Sequence, residues 1–152
     1  MRVLVAAPAD KLDAFTRATR DALGARDDAS SAFAHDRSRD PTLDLPHRVF
    51  EERPELVVVI DPRREDPSTI EALRRFGARV VIVFDAIDES AGRSVEARRR
   101  WIAHAADGVL GQEAFGASCA VDRHGRAALP FTVASFGGAL IAAVAAIPTD
   151  PA

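Results

Sequence analysis

Residues 55–66 read ELVVVIDPRRED: an unbroken apolar run, Leu56 to Ile60, ends in a carboxylate, Asp61, and a proline. Such a run is rich in β-branched residues and shows no polar alternation. That is the pattern of a strand covered on both faces, which is the rule in parallel sheets flanked by helices. RVVIVF at 79–84 repeats it, and RVLVAA at 2–7 opens the chain with a shorter version. GVL at 108–110 reads as another short strand, and 31–35 as a weaker candidate.

Helical periods separate these runs. Residues 9–23 place Leu12, Phe15, Ala18, Ala22 and Leu23 on one side, with Gly24 as the stop. Residues 42–53 read as helical around Leu45, Val49 and Phe50. Residues 68–76 carry Ile70, Leu73 and Phe76 inward and stop at Gly77, and 94–106 follow as a further helix. The last helix spans about 133–147, with Phe136, Leu140, Val144 and Ile147 on one stripe. Residues 111–130 contain the turn signal DRHG (122–125) and form a hairpin or a loop. Strand and helix alternating in this way imply a parallel sheet with helices on both faces.

Length and composition agree with one domain, 1–148, followed by a short tail, 149–152. A chain of 152 residues buries about 70% of the surface its unfolded form exposes. Net charge is −3, which gives no electrostatic reason to expect nucleic acid or an acidic membrane as partner. Only one of the 20 basic residues is lysine, Lys11, so chemistry that needs an amine has one candidate. The single cysteine, Cys119, excludes an internal disulfide and a cysteine metal cluster. The N-terminal apolar run is too short for a secretory signal, so a cytoplasmic location is expected. Residues 127–148 carry no charge, but Pro130, Gly137, Gly138 and the small residues around them favour a packed helix over a membrane span.

In an open parallel sheet, ligands bind beyond the carboxyl ends of the strands. Asp10, Asp61, Asp85 and Asp88 fall there, and such an acidic cluster can hold Mg²⁺. The plain alternative is that these aspartates end strands and cap helices by accepting backbone N–H bonds. There is no GxGxxG, P-loop or GxSxG motif, and His35, His47, His104 and His124 lack metal-ligand spacing. A second candidate surface lies on SVEARRRWIAHAA (94–106). Val95, Ile102 and Ala106 face inward, whereas Trp101 sits beside Arg98 about 100° away. Trp with Arg is an interface composition, although arginine stems can also cover a Trp that packs locally.

The segments RPELVVVIDP, IEALRRFGARVVIVFDA and AHAADGVLGQE resemble a response-regulator receiver domain, with RVLVAAPAD in the place of its first strand. The resemblance implies a three-layer flavodoxin-like (CheY-like) sandwich with five parallel strands in the order 2-1-3-4-5. It puts Asp61 in the phosphoacceptor's position. The other functional positions depart from the pattern. Ala6 and Ala7 stand where receivers carry an acidic pair, Phe84 or Asp85 where they carry Thr or Ser, and Gln112 where they carry Lys. Lys11, in the first helix, is not expected to substitute. The expectation is a bacterial pseudo-receiver that is not an enzyme and not phosphorylated. It would act as a stand-alone signalling module through a protein partner or a homodimer. A weaker similarity, over 54–134, is to the N-terminal Rossmann-like half of two-domain glycosyltransferases. The rival reading is therefore such a half domain, or a small metal- or nucleotide-binding α/β domain.

Overall fold

The computed structural model describes residues 1–24, 29–34, 45–62, 66–85, 92–112 and 121–148, with the backbone alone for 92–98. The elements are, in chain order, β1 (Val3–Ala7), α1 (Ala9–Leu23), β2 (Ser30–Ala34), α2 (Leu45–Glu52), β3 (Leu56–Ile60) and α3 (Pro67–Arg75). β4 (Arg79–Phe84), α4 (Gly92–Ala105), β5 (Gly108–Gln112), β6 (Leu129–Phe131) and α5 (Phe136–Ala146) complete them. The strands form one sheet in the order β2-β1-β3-β4-β5-β6, and every pairing is parallel. The flavodoxin-like α/β architecture and the order of the first five strands are as expected from the sequence.

The sheet has six strands rather than five. The added strand, β6, pairs Leu129, Pro130 and Phe131 with Leu110, Gly111 and Gln112. Pro130 has no N–H to donate, and an edge position is where a strand tolerates that. The DRHG segment ahead of it closes a small hairpin, with Val121 bridging Ala127 antiparallel and Asp122 N–H donating to the Arg126 carbonyl at 2.9 Å.

The two faces of the sheet follow from the period of two in each strand. Leu4, Ala6, Val57, Val59, Val80, Ile82 and Phe84 point to one side and pack against Leu45, Val49, Ile70, Leu73, Ile102 and Ala103 of α2, α3 and α4. Val3, Val5, Val58, Ile60, Val81, Val83 and Leu110 point to the other side, against Phe136, Leu140, Ala143 and Ile147 at α5, and against Leu12, Phe15 and Ala18 of α1. All five residues of β3 are fully buried, and each such aliphatic side chain contributes about 2 kcal/mol of transfer free energy. α1 stops where its sequence says it should: Gly24 takes φ 63° and returns its N–H to the Arg20 carbonyl. No helix among the described residues is long and apolar enough to cross a membrane.

Candidate functional site

The strand registers bring three side chains to one edge, and the first turn of α1 adds a fourth. β1 pairs Ala6 with Val59, β3 pairs Ile60 with Val83, and β4 pairs Phe84 with Gly111. One residue further on, Asp61 and Asp85 leave the sheet at its carboxyl end, beside Gln112, the last residue of β5. α1 starts at Ala9, directly after β1, so Lys11 lies in its first turn above the same edge.

Asp61 adopts a left-handed backbone, φ 46°, a region that Asp enters more readily than most residues. Its N–H donates to the Val83 carbonyl at 2.8 Å, and its Oδ1 accepts the Asp85 N–H at 2.8 Å. Asp61 therefore staples the ends of β3 and β4 through both backbone and side chain. The Lys11 ammonium donates to Asp61 Oδ2 and to Asp85 Oδ2, each at 2.8 Å. Asp85 Oδ1 accepts from Gln112 Nε2 at 2.7 Å. All four carboxylate oxygens thus accept a hydrogen bond from within the chain.

This cluster is largely shielded from water, with side-chain exposures of 24% for Lys11, 10% for Asp61 and 15% for Asp85. Burial pulls the Lys11 pKa down, but hydrogen bonds and Coulomb attraction from Asp61 and Asp85 together outweigh it and hold the ammonium above its usual 10.5. A cation in the first turn of a helix also opposes the helix dipole, at a cost of about 0.5 kcal/mol. Attraction to the two carboxylates at hydrogen-bond distance overrides that.

Lys11 reaches Asp61 and Asp85 even though it is helical, contrary to the expectation from sequence. The signal was available: a helix that begins two residues after a strand carries its first turn over the sheet's carboxyl edge, and a lysine stem spans the remainder. Of the expected acidic cluster, Asp61 and Asp85 come together, Asp10 is exposed in the first turn of α1, and Asp88 lies outside the described residues. No group of three or more His, Cys, Asp or Glu suited to a metal ion occurs among the described residues. Ala6 and Ala7, in the place of the receivers' acidic pair, are fully buried in the strand.

A second polar cluster sits at the opposite edge. Asp107 is 5% exposed, accepts the Val80 N–H at 3.0 Å on Oδ2, and faces Arg123 (3.2 Å), His124 (3.5 Å) and Arg74 (3.7 Å) with Oδ1. Asp122 accepts the backbone N–H groups of His124 and Arg126 and the Arg126 Nε. Arg126 in turn donates to the carbonyls of Asp107 and Ala146. The Ala-Asp-Gly triplet at 106–108 therefore has a structural use: its buried carboxylate joins β4, β5 and the hairpin.

On α4, Trp101 is 65% exposed beside the fully buried Ile102. The Arg98 side chain lies outside the described residues, as do His35, Cys119 and Glu113. His104 is exposed in the last turn of α4, and His47 pairs with Glu51 at 3.1 Å.

No family model matches this sequence, and a search of curated proteins finds no match. Among solved structures, the chain is similar to the crystal structure of a protein of Burkholderia pseudomallei K96243 that is provisionally assigned as pilus assembly-related. The two share 13% identity over 98% of this chain and 93% of that one, with a TM-score of 0.52, a likeness that shows the fold alone.

Proposed function

We propose that this chain is a receiver-like signalling module that acts by protein contact and is not phosphorylated at Asp61. One observation carries the reading: the carboxylate in the acceptor's position is already bonded, through Oδ2 to Lys11 and through Oδ1 to the Asp85 N–H. Phosphoryl transfer to a carboxylate needs cationic groups placed on the phosphoryl oxygens to offset their charge. Here the one nearby ammonium is shared between two carboxylates. Neither Phe84 nor Asp85, the two residues where the receiver pattern has a hydroxyl, supplies one, and Asp85 adds a negative charge that repels an incoming phosphoryl group. Gln112 stands where the pattern has a lysine and is neutral. The exposed Trp101 of α4 is the surface through which such a module would engage a protein partner or a second copy.

Intact-mass spectrometry after incubation with acetyl phosphate and Mg²⁺ tests this, with Asp61→Asn alongside. Both proteins are expected to keep their masses. A single phosphoryl adduct on the unmodified chain, absent from Asp61→Asn, would overturn the reading.

A further inference from the structure

We infer that Lys11 is a built-in counter-cation: its ammonium takes the place between Asp61 and Asp85 that a divalent ion occupies in a two-carboxylate site, so this edge is bridged without metal. The geometry is that of two carboxylates each offering one oxygen to a shared centre. Both Oδ2 atoms lie 2.8 Å from Lys11 Nζ, and both Oδ1 atoms turn away to internal donors, the Asp85 N–H and Gln112 Nε2. Mg²⁺ and Mn²⁺ sites commonly use one or two carboxylates and complete their shells with water. An ammonium supplies one positive charge and three donors at the same point. Helix electrostatics do not explain the arrangement, because the first turn of α1 disfavours a cation. The carboxylate pair does.

The inference deepens the receiver-like reading and rests on it for its meaning: a module so built would hold one state whether or not magnesium is present. The two fail separately. A phosphoryl adduct on Asp61 removes the unphosphorylated reading, whereas the metal responses of the native chain and of Lys11→Ala decide this one.

Thermal unfolding with and without about 10 mM Mn²⁺ is the test, on the native chain, Lys11→Ala and Lys11→Ala/Asp85→Asn. Lys11→Ala should gain about 3 °C or more from the metal, while the native chain and the double variant move by about 1 °C or less. A native chain stabilised as strongly as Lys11→Ala, or a folded Lys11→Ala that does not respond, would overturn the inference. If Lys11→Ala does not fold, Lys11→Gln, which keeps a donor but no charge, is read in the same way. A measurement without variants runs in parallel. Substoichiometric Mn²⁺ should leave the side-chain NMR signal of the single lysine no broader than that of an exposed methyl group. Selective broadening would place the metal at the carboxylates and contradict the inference.

Discussion

At the scale of single residues, Lys11 joins the start of α1 to the ends of β3 and β4. Replacing it with Met removes one ammonium and leaves two shielded carboxylates facing each other. For a fully buried pair such a loss costs about 3–5 kcal/mol; with the partial exposure here, about 2 kcal/mol is expected, a fall in Tm of roughly 4–8 °C. The pH dependence has a definite sign. The folded-state pKa of Lys11 is raised above 10.5, so its contribution to stability is complete below 10.5 and lost as pH rises through the folded value. Denaturation of the native chain and Lys11→Met should therefore give a constant difference from pH 7 to 9, converging only under more alkaline conditions. A difference that shrank already near neutrality would mean the ammonium is not held by the carboxylates.

Much of this residue-level picture was not legible from spacing. Asp61 and Asp85 could be placed at one edge because each ends a continuous apolar run. The contact with Lys11 depends on where the first turn of a helix lands and on a side chain with four rotatable carbons. Neither shows in a periodicity. Asp107 was hidden for another reason: within Ala-Asp-Gly it reads as a loop residue, and its buried role exists only once β4, β5 and the hairpin are assembled.

At the scale of elements, strands and helices were read well where the pattern was strong. β3 and β4 are the runs that the sequence announces, and α1 keeps the expected bounds of 9–23. β6 was missed because a three-residue edge strand with a central proline carries no periodicity to detect. α5 begins at Phe136, later than expected, and buries Phe136, Leu140 and Ile147 of the expected stripe, with Ala143 replacing the half-exposed Val144.

Helix ends supply two tests. α3 starts with a capping box in which the Asp66 Oδ1 accepts the Thr69 N–H at 2.9 Å and the Thr69 hydroxyl oxygen accepts the Asp66 N–H. Asp66→Ala should cost about 1 kcal/mol by urea denaturation at pH 7. Hydrogen bonds from Ser68 and Thr69 lower the Asp66 pKa below 3.8, so this increment is present above 3.8 and fades as pH falls through the lower folded value. At the other edge, Arg126→Ala breaks the tie from the hairpin to the end of α5 and leaves the buried Asp122 carboxylate short of a charged partner. A loss of about 2 kcal/mol is expected, with amide exchange accelerated most in 140–147.

At the scale of the whole molecule, the sheet divides its chemistry between two edges. The amino edge carries the Asp107 and Asp122 networks and serves packing. The carboxyl edge gathers Lys11, Asp61, Asp85 and Gln112, and the proposed contact surface is on α4. Trp101→Ala should change Tm by about 1 °C or less, since little of the side chain is buried, yet weaken any self-association or partner binding by tenfold or more. A large loss of stability in that variant would assign Trp101 to packing instead.

A single ammonium ties Asp61 to Asp85 at the carboxyl edge, and the chain contains only one lysine. Its side-chain ¹⁵Nζ and ¹³Cε resonances are therefore assigned without ambiguity. Titrating them by NMR, in the native chain and in Asp85→Asn, is the most direct test. A pKa above 10.5 is expected in the native chain, with a fall toward 10.5 when Asp85 is neutralised. A native value at or below 10.5 that Asp85→Asn leaves unchanged would contradict it.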